Sequence, residues 1–349
     1  MVKLYGKEWT RRDLEARVGR IEQIAGIQRF TMSEGSEAGL ETFRVRTGSG
    51  LSYWVTPGKG MDISLAEMGG VPISWSASNG EPNPTYYNES GVEWLKTASG
   101  GLLMTCGLTQ VGSPGEDSDG TYGLHGRIHH TPARHVSSWA GWNVDDYEMS
   151  IRGVVEETSI FGFNLRLTRT ITSILGENNI RILDTVENIG FRPAPHMILY
   201  HFNFGFPLLS EDTIIELPEG KSKPRDLEMD TSRMHEWQAP DPYFNEQVFY
   251  HEPSEQKEQI YARIYSPSFP TRASESATAG IIVDLKWDPR TLPKLVQWRM
   301  PGAGDHVLGL EPSNCWTRGR AEERKDHTLK MLEPGEIVQY NLDLEIKPY

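Results

Sequence analysis

Short runs of alternating apolar and polar residues, separated by turns, are the feature that most restricts how this chain can fold. The runs cover residues 43–47, 51–55, 163–171, 180–186 and 338–342. A period of two residues is typical of β-strands that bury one face, and glycine-rich stretches such as Gly-Ser-Gly before the second run are typical of turns. Because little helical sequence separates the runs, the chain is predicted to be mainly all-β, with antiparallel sheets in a sandwich or barrel rather than a βαβ fold.

One helix is predicted near the start, over residues 10–26. Thr10 can cap it, and Asp13 stands three residues later, as in a capping box. An apolar stripe at helical spacing follows, formed by Leu14, Val18, Ile21 and Ile24. Gly26 is expected to end the helix.

Residues 218–253 are the least strand-like part of the chain, being rich in proline, charge and methionine. They are predicted to form a long surface excursion, a kind of segment that often carries function. No repeat of about 20–50 residues recurs, and no linker divides the chain. We therefore expect a single domain over residues 1–349.

The charge balance bears on partners. The chain carries 35 lysines and arginines against 48 acidic residues, a formal net charge of -13. Such a chain repels phosphate backbones, so nucleic acid is not an expected partner. A small carbohydrate is compatible with this charge, and so is a homodimer.

The cellular compartment is predicted from the two cysteines and from the lengths of the apolar runs. The two cysteines, Cys106 and Cys315, are far apart and fit a reducing environment as well as a single disulfide. The first nine residues show no apolar signal segment, and no run approaches the length of a membrane span. We expect a cytoplasmic protein without membrane contact.

His125 is the first candidate site residue, within residues 123–127 (Gly-Leu-His-Gly-Arg). Glycines allow a loop to approach a ligand closely, and Arg127 adds a forked donor for hydroxyls or a carboxylate. A turn histidine bonded to backbone explains the segment equally well. His129, His130 and His135 follow, but their spacing matches no recognised metal motif, so neither a metal nor a cofactor is expected.

Two further segments place titratable groups in apolar surroundings. His201 and Asn203 lie two residues apart in a strand-like run, on one face, where polar groups are costly to bury without partners. Glu311 ends an apolar run before a proline and is either a solvated strand end or a site residue with a shifted pKa. Trp298 offers an apolar face for sugar C–H groups, although such tryptophans more often belong to a core.

Together, these segments resemble the aldose 1-epimerase (galactose mutarotase-like) family, in particular its divergent branch with a Leu-His-Gly-Arg signature. The family's first histidine, second histidine and late glutamate correspond to His125, His201 and Glu311. The glycine-x-aspartate turn of the branch resembles residues 59–63, which include Asp62, and its glycine-rich stretch resembles residues 99–107. The resemblance covers the chain from about residue 40 onward.

The resemblance implies a β-supersandwich and an enzyme that interconverts sugar anomers without a metal. Glu311 would act as the base, His201 as the acid that protonates the ring oxygen, and His125 as a group that binds and polarises the same region. Arg127, Asn203, Asp62 and Trp298 are the expected substrate contacts. A carbohydrate-binding protein without catalysis and another sugar isomerase or lyase on the same fold are the alternatives.

Overall fold

Antiparallel strands make up most of the molecule. The computed structural model describes residues 1–226, 229, 231–254, 257–270 and 280–348. The strands are, in chain order, β1 (Val2–Leu4), β2 (Lys7–Trp9), β3 (Gly26–Thr31), β4 (Glu41–Arg46), β5 (Leu51–Thr56), β6 (Asp62–Met68), β7 (Val71–Pro72), β8 (Trp75–Ser76), β9 (Gly100–Gly101), β10 (Leu103–Leu108), β11 (Gly115–Asp117), β12 (Gly120–Tyr122), β13 (Arg134–Asn143), β14 (Asp146–Thr158), β15 (Asn164–Ile174), β16 (Asn179–Asn188), β17 (Ala194–Pro195), β18 (Met197–Phe204), β19 (Ile214–Glu216), β20 (Gly220–Pro224), β21 (Gln247–Pro253), β22 (Ile260–Ser266), β23 (Ile281–Trp287), β24 (Lys294–Pro301), β25 (His306–Ser313), β26 (Met331–Leu332) and β27 (Ile337–Pro348).

Helical segments are short. Among the described residues, the two α-helices are α1 (Arg11–Glu15) and α2 (Arg320–Lys325). The 3-10 turns are Ile21–Gln23, Gly35–Glu37, Pro84–Tyr86, Glu93–Lys96 and Ile128–His130. No helix in the described part of the chain has the length and apolar composition needed to span a bilayer.

Two large sheets carry the architecture. The first has eleven strands in the order β20-β21-β24-β25-β18-β10-β6-β5-β4-β3, with β7 paired to β6. The second has eight strands in the order β13-β14-β15-β16-β27-β23-β22-β19. Neighbouring strands in both sheets run antiparallel. The prediction of a mainly all-β, antiparallel fold is confirmed.

A hydrophobic core lies between the two sheets. One cluster of buried side chains includes Val55 and Phe202 from the first sheet and Leu167 and Leu344 from the second. Strand β15 shows the expected alternation, with every second residue buried. Strand β18 is buried at every position, because a smaller cluster covers the face of the first sheet that points away from the second sheet. Met197 and Leu199 of β18 belong to that smaller cluster, so odd-numbered residues of β18 leave the main core.

The helix predicted over residues 10–26 is wrong in its extent. Thr10 and Asp13 do form a capping box, but α1 ends at Glu15 and only a 3-10 turn follows at Ile21–Gln23. Gly19 lies between the two, and glycine disfavours a helix interior. Leu14 and Ile21 are nevertheless buried, so the apolar stripe packs against the core without a continuous helix.

The surface excursion predicted over residues 218–253 is also wrong at both ends. Strand β20 lies near the start of this range and β21 at its end, and the two strands pair with each other at the edge of the first sheet. The prediction missed β20 because its residues are exposed and charged, without the alternation of a half-buried strand. Residues 227, 228 and 230 of the range lie outside the described residues. The expectation of one domain over residues 1–349 stays a prediction.

A buried ion network connects the two sheets. Arg169 of β15 donates from Nη1 to Asp62 Oδ1 of β6 at 2.6 Å and from Nη2 to Asp184 Oδ2 of β16 at 2.6 Å. Tyr200 of β18 donates its hydroxyl to the same Asp184 oxygen at 2.8 Å. The side chains of Arg169, Asp62 and Asp184 are no more than 1% exposed. Since one guanidinium compensates two buried carboxylates, removing it leaves both without a compensating cation.

We expect Arg169→Leu to lower the free energy of unfolding by about 3–5 kcal/mol, the usual result of breaking a buried ion pair from one side. Urea denaturation followed by fluorescence measures this. Arg181→Leu is the control, because Arg181 is 48% exposed and pairs only at the surface, where the loss should stay under about 1 kcal/mol. Equal losses in the two variants would show that the network adds nothing to stability.

Candidate active site

A cavity of about 690 Å³ opens on the face of the first sheet that points away from the second sheet. Its buried end contains His201, Glu311 and Met104, and its mouth contains exposed residues such as Val92 and Leu95. Other residues that line the cavity include Trp75, Trp94, His125, Arg225, Glu246, Trp298 and Asp305.

His125 reaches this cavity from a tightly held loop. Its backbone has φ 58°, in the left-handed region that few non-glycine residues adopt, and Gly126 follows at φ 70°. A Cβ on Gly126 would lie 2.5 Å from the carbonyl oxygens of Gln110 and Gly107, so only glycine lets the loop pass so close to β10. The backbone N–H of His125 donates to Gly112 O at 2.9 Å, and its carbonyl accepts from Gly107 N at 3.0 Å. These bonds hold the imidazole against the cavity.

His201 and Glu311 come from neighbouring strands. His201 lies on β18 and Glu311 on β25, and strand alternation directs both away from the main core. His201 Nε2 lies 3.2 Å from Glu311 Oε1. The rings of His125 and His201 meet edge to face with centroids 5.9 Å apart. Three titratable side chains from distant segments therefore line one cavity.

The space beside Glu311 exists because residue 309 is glycine. A Cβ at Gly309 would lie 2.6 Å from Glu311 Oε1, 3.0 Å from Trp298 Cβ and 3.2 Å from His201 Cε1. Gly309 and Glu311 share one face of β25, and Trp298 is the register partner of Gly309 on β24. Any larger residue would fill the gap between the carboxyl, the imidazole and the indole.

Burial sets the protonation of the site. It raises the pKa of the Glu311 carboxyl well above its ordinary value, and the Glu246 carboxylate adds to the shift. Burial lowers the pKa of His201 to about 3, with a contribution from His125, and that of His125 to about 4. Burial therefore favours neutral imidazoles and a protonated carboxyl, which together place one proton on the His201–Glu311 pair.

Indole rings form the walls. Trp298 lies edge to face with His201, at 5.5 Å between ring centroids, and with Trp75, at 6.0 Å. Trp94 lies 5.0 Å from the His125 ring. Three polar atoms of buried lining residues, Trp94 Nε1, His201 Nδ1 and Glu311 Oε1, have no hydrogen-bond partner among the described residues. Such atoms are rare in folded proteins and are available to a ligand.

Asp62 is not part of this cavity, which corrects its prediction as a substrate contact. Its Oδ1 accepts from Arg169 and from Thr105 Oγ1, and its Oδ2 lies 2.8 Å from Thr105 N and 2.6 Å from His129 Nδ1. These four contacts engage both carboxylate oxygens, and the residue is 1% exposed. Asp62 stabilises the packing of the sheets.

Asn203 and Arg127 are also placed differently from the prediction. Asn203 is fully buried, does not line the cavity, and donates from Nδ2 to the backbone oxygen of His201 at 3.0 Å. Arg127 donates to Thr158 O at 2.7 Å and lines a separate cavity of about 430 Å³. In a regular extended segment, residues two apart share one side, but the left-handed backbone at His125 and Gly126 breaks this pattern, and His125 and Arg127 line different cavities.

The other histidines of the loop are engaged elsewhere. His129 bonds Asp62, and His130 stacks on Tyr87 with ring centroids 4.1 Å apart. Within the described ranges, no group of three or more His, Cys, Asp or Glu side chains is arranged to hold a metal ion. Cys106 and Cys315 are free and buried.

Comparison with known proteins identifies the family of this chain. A family model described as "Domain of unknown function (DUF4432)" matches residues 37–346. The chain belongs to the DUF4432 family. No protein with a curated description matches the chain.

Solved structures similar to this DUF4432 chain share its fold. A putative aldose 1-epimerase from Klebsiella pneumoniae subsp. pneumoniae MGH 78578 is 24% identical, with a TM-score of 0.81 over 92% of this chain and 83% of that one. Galactose 1-epimerase from Lactobacillus acidophilus NCFM is 12% identical, with a TM-score of 0.59 over 93% and 99%. A galactose mutarotase-like protein from Clostridium acetobutylicum is 15% identical, with a TM-score of 0.57 over 94% and 100%. The predicted galactose mutarotase-like β-sandwich is confirmed.

Sequence reasoning missed several residues of the site, chiefly Trp94 and the pair Arg225–Glu246, which line the cavity, and Gly309, which leaves room beside Glu311. Trp94 lies on the 3-10 turn Glu93–Lys96, in a stretch without regular periodicity, so no pattern marked it. Gly309 had a usable signal, because glycine inside a strand indicates close approach of another group. The pair Arg225–Glu246 cannot be recognised from the sequence, because it forms only when the pairing of β20 with β21 brings Arg225 Nη2 to 2.9 Å from Glu246 Oε1.

Proposed function

We propose that this protein is an isomerase that interconverts the anomers of a sugar, as aldose 1-epimerases do, by opening and reclosing the sugar ring. The observation that carries the proposal is the convergence of His125, His201 and Glu311 on one cavity, with His201 Nε2 and Glu311 Oε1 3.2 Å apart. Ring opening needs a base and an acid within reach of two neighbouring oxygens, the anomeric hydroxyl and the ring oxygen.

In the proposed reaction, Glu311 accepts the proton of the anomeric hydroxyl while His201 donates a proton to the ring oxygen. The bond between the anomeric carbon and the ring oxygen breaks and leaves an open-chain aldehyde. Rotation about the bond next to the anomeric carbon presents the other carbonyl face, and ring closure returns both protons. His125, beside His201, polarises the same oxygens.

The one-proton state of the His201–Glu311 pair suits this exchange. Carboxyl with imidazole and carboxylate with imidazolium hold the same number of protons, so the pair can pass from one state to the other without a net gain or loss of a proton. Burial keeps the second proton off His201 and the first proton on the pair, because it lowers the histidine pKa and raises that of Glu311. The pair can therefore give a proton to one sugar oxygen and take one from another.

The cavity walls suit a sugar. Indole faces pack against the C–H groups of a pyranose ring, and the unpartnered Trp94 Nε1 and Glu311 Oε1 can exchange hydrogen bonds with its hydroxyls. Of the predicted substrate contacts, Trp298 lines the cavity, and it remains a substrate contact in this proposal. The reaction moves only protons and one C–O bond, so it requires no redox partner.

We expect Glu311→Gln to slow anomer exchange by at least about 10²-fold, because the amide keeps the volume but cannot take up a proton at neutral pH. Polarimetry or exchange NMR on a panel of aldoses measures the rate, and thermal melting checks folding. Sugar binding should persist. Glu187→Gln is the matched control, since Glu187 lies on β16 outside the cavity, and it should keep the wild-type rate.

Near-normal exchange in folded Glu311→Gln protein would refute the mechanism. Sugar binding by the wild type without faster exchange would instead identify a carbohydrate-binding protein. New sugar resonances in the same NMR spectra would identify another isomerase or a lyase.

The pH profile of anomer exchange should follow the shifted pKa values. On the acid side, the rate falls only as His201 and His125 take up protons, at their lowered pKa values of about 3 and about 4. On the alkaline side, it falls as the pair loses its proton through the raised pKa of Glu311. Rates corrected for the uncatalysed reaction test this, and an acid limb near pH 6.5, the ordinary value for histidine, would contradict it.

A further inference from the structure

The cavity continues well beyond the three titratable groups. Glu311 is 1% exposed and His201 7%, whereas Val92 and Leu95 at the mouth are each 56% exposed. Trp94, which touches the His125 ring, belongs to the same 3-10 turn as Leu95, so this turn leads from the buried end to the mouth. The proposed chemistry uses only the buried end.

The volume exceeds that of one sugar ring. A hexose has about twelve non-hydrogen atoms, and if each took the roughly 30 Å³ that a water molecule takes in the liquid, the sugar would fill about 360 Å³. The cavity measures about 690 Å³. A hexose placed with its anomeric carbon between His201 and Glu311 leaves a space of similar size toward the mouth.

The exposed lining residues of the cavity are of two chemical kinds. Val92 and Leu95 expose aliphatic groups. Glu246 is polar and accepts from Trp298 Nε1 at 3.1 Å and from Arg225 Nη2 at 2.9 Å. A lining with both apolar and polar groups fits a pyranose, which has C–H faces and a rim of hydroxyls.

The charge of the mouth indicates a neutral occupant. Among the described residues that line this cavity, Arg225 is the single cation, and its guanidinium already donates to Asp226 and Glu246. Glu246 and Asp305 add negative charge to the lining. A phosphate or carboxylate on the ligand would find no free cation among these described residues and would be repelled.

We propose that the substrate is a neutral reducing disaccharide, whose reducing ring lies at His201 and Glu311 and whose second ring lies between Val92, Leu95 and the Arg225–Glu246 pair. The proposal rests on the proposed function. The second ring is attached away from the anomeric carbon, because that carbon must remain free for ring opening. Contacts at the mouth then hold the reducing ring in place for the proton transfers.

The test compares disaccharides with the monosaccharide of their own reducing end. Exchange NMR gives kcat/KM for maltose, cellobiose and lactose against glucose, for xylobiose against xylose, and for mannobiose against mannose. We expect at least one disaccharide to exceed its monosaccharide by about tenfold or more, as one well-packed ring provides. If no disaccharide exceeds its monosaccharide although monosaccharides exchange faster than in buffer, the inference fails and the proposed function stands. If the protein accelerates no sugar, both fail.

Variants localise the effect. In the double variant Val92→Ser with Leu95→Ser, the preference for the disaccharide should fall toward a ratio of about one. Leu183→Ser is the matched control, because Leu183 is an exposed leucine of β16 outside the cavity, and it should leave the preference unchanged. Retention of the full preference in the folded double variant would overturn the placement of the second ring.

Discussion

Strand β18 is buried on both faces, and its register decides what each face of the first sheet contains. Tyr200 and Phe202 point into the core between the sheets, and His201 points into the cavity. A slip of one residue would exchange these faces, placing an imidazole among apolar side chains and an aromatic ring beside Glu311. Pairing with β10 and β25 on either side prevents that slip. The register of β18 with β25 brings His201 beside Glu311, and the register of β25 with β24 brings Gly309 beside Trp298.

The alternation of residues 163–171 and 180–186 predicted strands well, because β15 and β16 bury one face and leave the other partly exposed. It predicted little about β10 and β18, where both faces are buried and the pattern reads as a continuous apolar run. His201 was recognised there because a histidine in such a run needs a reason. The helix over residues 10–26 was overestimated because burial of Leu14 and Ile21 produces the same spacing in a broken segment.

The candidate site can also be predicted from the sequence only in part. Local sequence and family resemblance predict His125, His201 and Glu311 as site residues, because each stands in a distinctive segment. Asp62 stands in an equally distinctive segment, but the fold uses it to compensate Arg169. The sequence cannot distinguish a carboxylate that pairs with a buried arginine from one that contacts a ligand, because the same acidic residue after a glycine turn serves either role. The distinction depends on which side chains the second sheet brings close.

The ion network around Arg169 has a consequence for how the protein responds to its solvent. Mobile ions weaken pairs that water can reach, such as the one between Arg181 and Glu177, over a Debye length of about 10 Å at 0.1 M salt. Arg169, Asp62 and Asp184 lie where neither water nor salt has access. The contact between the sheets is therefore insulated from ionic strength, so the scaffold that supports the cavity is held equally firmly in dilute and in concentrated electrolyte.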